Sequence, residues 1–216
     1  MNMPPEMVLF DCDGVLVDSE TLAADVLCAN LTRHGLPISR TDFADLFLGG
    51  TIMGVADKAR EMGATLPDTW IDDTYEELFS VLAASVEAIE GASQVLDALD
   101  AAGIGYAVCS NGPHRKMDIT LGRTGLATRL KGRIYSREDV ARPKPAPDLY
   151  LKAAVDAGVA ATRCVVIEDS AAGAQAGRAA GMSVFGFAAE TPAARLAPVT
   201  DAIFSHMDEL PALLGL

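Results

Sequence analysis

Residues 7–19 read Met7-Val8-Leu9-Phe10-Asp11-Cys12-Asp13-Gly14-Val15-Leu16-Val17-Asp18-Ser19. The first four are a short, continuous apolar run, which predicts a parallel strand covered on both faces. Asp11 and Asp13 end that strand two residues apart, and in extended backbone they share one face. Gly14 permits a tight turn and the close approach of a ligand. Two carboxylates so close raise each other's pKa values unless a cation binds between them. The pattern suits a nucleophile paired with an acid/base. It is also the form of an ordinary Asp-rich turn after a strand.

Moving outward, short apolar runs alternate with longer amphipathic stretches, the rhythm of βαβ units. Further strands are predicted at Tyr106-Ala107-Val108-Cys109, Cys164-Val165-Val166-Ile167 and Val184-Phe185-Gly186-Phe187, with short ones at Arg133-Ile134-Tyr135 and Ala202-Ile203-Phe204. Helical patterns cover 92–102, 147–157 and 171–180, the last stopped by Gly181. From Ser19 to Ala88 the rhythm breaks into helical patterns with no convincing strand, which predicts a helical insertion after the first strand.

Three more segments follow predicted strands, where ligands collect in open α/β sheets. Ser110-Asn111-Gly112 offers a hydroxyl and main-chain amides for phosphate oxygens, and is also an ordinary helix cap. In Arg142-Pro143-Lys144-Pro145-Ala146-Pro147, the prolines stiffen the loop around one lysine, which suits an anion or plain solvent. Ile167-Glu168-Asp169-Ser170 places two acids at a strand end, fit for a hard cation or for the N-terminus of the next helix. The order of an Asp pair, a Ser, a Lys and a second acidic pair is far more specific than any one segment.

The net charge of −13, from 30 acidic and 17 basic residues, argues against nucleic acid and anionic membranes. An anionic substrate then requires positive charge gathered locally. No apolar run approaches the ~20 residues of a membrane span, and the N-terminal residues have no basic group of the kind that opens a secretory signal. A cytoplasmic location is expected. Cys12, Cys28, Cys109 and Cys164 are scattered, which predicts reduced, mostly buried thiols. No G-x-G-x-x-G follows the first strand, so a dinucleotide site is not expected.

On these motifs the chain resembles the haloacid dehalogenase superfamily. Asp11-Cys12-Asp13-Gly14-Val15 is similar to its first motif, Ser110 to its second, Lys144 to its third and Glu168-Asp169 to its fourth. Glu90-Gly91-Ala92, Ser110-Asn111-Gly112-Pro113 with Lys116-Met117, and residues 172–177 resemble the branch holding β-phosphoglucomutase and 6-phosphogluconate phosphatase. The resemblance implies an α/β fold, a Rossmann-like parallel sheet formed by residues 1–17 and 90–216, with an inserted helical cap domain over 18–89.

It also implies roles. Asp11 is the nucleophile and forms an aspartyl-phosphate; Asp13 is the acid/base. Mg2+ is held by Asp11, the Asp13 carbonyl, Asp169 and Glu168, the last directly or through water. Gly14, Ser110, Asn111 and Lys144 join Asp11 in holding phosphate. The expected activity is Mg2+-dependent hydrolysis of a small phosphorylated sugar or sugar acid by a monomeric enzyme. Leu48-Gly49-Gly50-Thr51 resembles the family's specificity loop, though Leu48 stands where relatives carry Lys. Ile52 and Ala23 stand where β-phosphoglucomutases carry cap Arg and His, which favours a phosphatase over a mutase. Arg33, Lys58 and Arg60 are alternative cationic contacts. A phosphomutase is the nearest rival, a dehalogenase a weaker one, and a non-catalytic phosphate sensor the rival from another class.

Overall fold

A computed structural model describes residues 4–47 and 51–216. The strands are β1 (Met7–Phe10), β2 (Val17–Asp18), β3 (Glu87–Ala88), β4 (Gly105–Ser110), β5 (Ile134–Ser136), β6 (Cys164–Glu168), β7 (Ser183–Phe187) and β8 (Ala202–Phe204). The helices are α1 (Glu20–Arg33), α2 (Arg40–Phe47), α3 (Ile52–Glu61), α4 (Trp70–Ser85), α5 (Ala92–Ala102), α6 (His114–Arg123), α7 (Asp148–Asp156), α8 (Ala171–Ala179), α9 (Ala193–Leu196) and α10 (Leu210–Leu214). They form two compact units, one of Met1–Asp18 with Glu87–Leu216, the other of Ser19–Val86.

The first unit is built on a six-stranded sheet in the order β5-β4-β1-β6-β7-β8, with every neighbour parallel. All six expected strands are present. β1 lies between β4 and β6, the strands that run outward to opposite edges. The carboxyl ends of these three therefore flank the place where the strand order reverses, the usual ligand crevice of such sheets. β1 and β6 are buried along their whole length, as a sheet covered on both faces requires. Small residues let α8 lie close to the sheet: a Cβ on Gly177 would stand 2.8 Å from Val184 Cγ2 and 3.1 Å from Val166 Cγ2.

Three strands run past the carboxyl ends of their predicted runs, β5 by Ser136 and, at the site, β4 and β6. β4 continues through Ser110 and β6 through Glu168, because Ser110 pairs with Ser136 and Glu168 with Gly186 in the ladder. Ser110 and Glu168 thus sit on strand backbone rather than on loops. The antiparallel ribbon of β2 and β3 is a further addition, pairing Val17 with Ala88 and Asp18 with Glu87. Two residues per strand carry no readable periodicity.

The second unit is helical, consisting of α1 to α4. Trp70 and Leu82 are buried in it, and Trp70 Nε1 donates to Asn30 Oδ1 at 2.5 Å. Asn30 Nδ2 donates in turn to Glu77, which also receives Arg33, so this buried amide is satisfied on both sides. All four cysteines are free; Cys12, Cys109 and Cys164 are buried and Cys28 is half-buried. Among the described residues no helix is long and apolar enough to cross a membrane.

Candidate active site

Asp11 leaves β1 with its N–H donating to Ile167 O at 2.9 Å, which fixes it against the end of β6. The chain then turns tightly. Leu16 and Val17 N–H groups both donate to Cys12 O, and the Gly14 N–H donates to Val17 O. Gly14 has φ +71°, and a Cβ there would stand 2.2 Å from Asp169 Oδ2. The turn conformation and the Asp169 carboxylate therefore both require glycine.

Lys144 closes the other side. Its Nζ donates to Asp11 Oδ1 at 2.8 Å and to Glu168 Oε1 at 2.6 Å, and lies 4.7 Å from the Tyr150 ring centre. The side chain is 4% exposed. Burial works against its charge, but the Asp11 and Glu168 carboxylates more than offset this, and the ammonium is held above its ordinary range. Asn111 sets the backbone of the lysine. Its Nδ2 donates to Lys144 O and its Oδ1 accepts from the Lys144 N–H, both at 3.0 Å.

One ammonium is shared by two carboxylates. Burial, with Glu168 and Asp13 nearby, pushes the Asp11 carboxyl from 3.8 up to about 7, although Lys144 pulls the other way. Glu168 is fully buried, and its two oxygens accept four hydrogen bonds: from Lys144 Nζ, Tyr150 OH at 2.8 Å, Ser170 Oγ at 2.8 Å and Ser170 N–H at 3.2 Å. That matches the acceptor capacity of a carboxylate. Tyr150→Phe removes one donor and keeps the ring. It should lower the unfolding free energy by about 1–3 kcal/mol, the cost of an under-satisfied buried acceptor. Urea titration measures it, and an unchanged midpoint would show that the hydroxyl contributes nothing.

Asp13 faces the end of β4. Lys116 Nζ lies 2.7 Å from its Oδ1, and Ser110 Oγ lies 3.4 Å from its Oδ2. Ser110 Oγ also accepts the Gly112 N–H at 2.9 Å, and Ser136 Oγ donates to Gly112 O at 2.7 Å. Burial opposes the Lys116 charge, yet the Asp13 carboxylate outweighs it and raises the lysine's pKa.

One carboxylate oxygen from each of Asp11, Glu168 and Asp169 lies within 4.8 Å of the other two, a spacing and donor set that fit one hard cation. Glu168, committed to Lys144, Tyr150 and Ser170, fits the role of anchor to Lys144.

Every residue the sequence marked for the chemistry therefore stands in one cluster or against it: Asp11, Asp13, Gly14, Ser110, Asn111, Lys144, Glu168 and Asp169. Three contributions were not read from the sequence. Asn111 acts through its side chain as well as its amide, Tyr150 braces Glu168, and Lys116 pairs with Asp13. Lys116 stood in a family pattern but with no role attached, and it left a further, physical signal. Helix α6 opens on His114, Arg115 and Lys116 with no acid in its first turn, against the preference set by the helix dipole. A nearby carboxylate resolves that conflict. The expected specificity loop falls at Leu48, Gly49 and Gly50, which lie outside the described residues. Arg33 pairs with Glu77, Lys58 donates to Leu46 O, and Arg60 lies 3.5 Å from Asp57, so each of these cations has a partner within its own unit.

A family model described as haloacid dehalogenase-like hydrolase matches residues 5–181. The chain is 33% identical over 210 residues to a 6-phosphogluconate phosphatase of Escherichia coli (strain K12), covering 96% of this chain and 94% of that protein. It is 31% identical over 185 residues to a phosphoglycolate phosphatase of Xylella fastidiosa, covering 84% and 79%. Among solved structures it is similar to a HAD family hydrolase from Deinococcus radiodurans R1 with bound phosphate and sodium. That match has 37% identity and a TM-score of 0.84, and covers 98% of this chain and 96% of the other.

Proposed function

We propose, for a chain that belongs to the haloacid dehalogenase-like hydrolases, that it is a Mg2+-dependent phosphatase of a small phosphorylated sugar or sugar acid, 6-phosphogluconate foremost. The observation that carries the reading is the buried Lys144 ammonium bridging Asp11 and Glu168 at the carboxyl ends of β1 and β6. It supplies the local positive charge that an acidic chain needs before an anionic nucleophile can meet an anionic ester. The substrate class is supported by the E. coli relative, which this chain matches along nearly its whole length.

In this reading an Asp11 oxygen attacks phosphorus in line, forming the aspartyl-phosphate as the bond to the sugar oxygen breaks. Asp13 gives its proton to the departing oxygen. It then takes a proton from the water that attacks the aspartyl-phosphate and frees Asp11 and inorganic phosphate. Ser110 Oγ, the amides of the 110–112 turn and Lys144 hold phosphate oxygens, and Gly14 lets the backbone come close. Asp11, Asp169 and the Asp13 carbonyl, with Glu168 behind them, would hold Mg2+, which would supply further positive charge against the phosphate. Residues 18–89 select the substrate, and residues 1–17 with 90–216 carry the chemistry.

The test is phosphate release from 6-phosphogluconate, phosphoglycolate, β-glucose 1-phosphate and fructose 1-phosphate, with Mg2+ and with EDTA. One substrate should stand out, and its turnover should fall to background in EDTA. Release that persists in EDTA would remove the metal from the proposal, and silence on the whole panel would remove the substrate class.

A further inference from the structure

Outside the groups already given a role, the described residues hold a half-buried cation beside the site that the mechanism does not use. Lys116 reaches across from the first turn of α6 to Asp13, over a hundred residues away in sequence, and the two side chains are 16% and 19% exposed. The contact is enclosed: a Cβ on Gly112 would lie 3.2 Å from Ser110 Oγ, 3.4 Å from Lys116 Cδ and 3.7 Å from Asp13 Oδ2. One oxygen of Asp13 is held by Lys116 and the other faces Ser110, so the carboxylate has a single seat against the end of β4.

We infer that Lys116 is the positioning residue of Asp13, holding its carboxylate in the one place from which it can serve the departing oxygen. The inference rests on the phosphatase reading above. Lys116 touches neither phosphorus nor the leaving group; it acts through Asp13. Misplacing an acid/base by about 1 Å can cost a hundredfold. Lys116 also stabilises the negative charge that appears on Asp13 as its proton leaves.

This predicts a signature that mere loss of packing does not give. An alkyl phosphoester has a poor leaving group and needs the proton, whereas 4-nitrophenyl phosphate has a good one and hardly needs it. In Lys116→Met, kcat/KM for the alkyl ester should fall about 10–100-fold, and for 4-nitrophenyl phosphate by less than about threefold. Lys116→Arg should restore most of the alkyl activity. A double-mutant cycle gives an independent decision with the alkyl ester alone: Asp13→Asn with Lys116→Met should be no slower than Asp13→Asn by itself. Equal losses on both esters, or additive losses in the cycle, would overturn the inference. If Lys116→Met does not fold, Lys116→Gln enters the same cycle. A wild-type enzyme inert towards every phosphoester would overturn the phosphatase reading instead, a result distinct from both.

Discussion

Asp11→Asn should release no phosphate, with kcat at least roughly 10^4-fold below the wild type, yet be the more stable protein at pH 8.5 in the absence of divalent cations. The first half follows from the proposed role of Asp11 as nucleophile, whose removal would leave only the residual effect of binding. The second follows from burial. The Asp11 carboxyl titrates near 3.8 when unfolded and at about 7 in the folded protein, raised by burial and by Glu168 and Asp13 against the pull of Lys144. Folding is therefore unpenalised below pH 4, where both states are protonated. The contribution is lost as pH rises through 7, where the folded protein must carry a buried charge. At ~1.4 kcal/mol per pKa unit the full difference is on the order of 4 kcal/mol, a figure that already contains the opposing pull of Lys144. Denaturant unfolding of both proteins at pH 5 and pH 8.5 measures it. A stability difference that does not change between those two pH values would show that Asp11 is not held in a desolvated, crowded state.

Gly173→Ala should lower the unfolding free energy by about 3–5 kcal/mol and, in whatever fraction folds, reduce kcat more than a hundredfold. Alanine normally favours a helix over glycine by about 1 kcal/mol. Here, in the first turn of α8, the added Cβ would stand 1.7 Å from Glu168 Oε1 and 2.0 Å from its Cδ. Glu168 cannot step aside cheaply, because Lys144, Tyr150 and Ser170 fix both of its oxygens in the core. Moving it moves the lysine that faces Asp11. Gly122→Ala is the control, since the corresponding space near the end of α6 is open, and it should be neutral or stabilising. Gly173→Ala unfolding at the wild-type midpoint would mean that Glu168 is not pinned as described.

What could be read in the sequence divides along physical lines. The sheet was legible because β1, β6 and β7 are near-continuous apolar runs, and a strand covered on both faces has no other way to appear. The acidic and basic groups at the strand ends were legible because their order along the chain carries the pattern. Lys116, Tyr150 and the Asn111 side chain were not, because each works through a partner far away in sequence. Lys116 and Asn111 stand in a family pattern, but a pattern does not say what a side chain touches, and by residue type alone a lysine on a helix, a tyrosine on a buried helix face and an asparagine in a turn are ordinary. The ribbon of β2 and β3 is silent for another reason, being too short to leave any period.

That ribbon has a consequence for how such a protein can change. Asp18 and Glu87 stand opposite each other, so the chain departs from the sheet-bearing unit and comes back to it at neighbouring points about 5 Å apart. Seen from the sheet, everything from Ser19 to Val86 is a single hairpin connection. A connection whose ends are already clamped can grow, shrink or be exchanged at little entropic cost to the rest. The insertion can vary there while Asp11, Lys144 and Glu168 keep their places, and a graft of a relative's insertion between Asp18 and Glu87 is the natural unit of recombination.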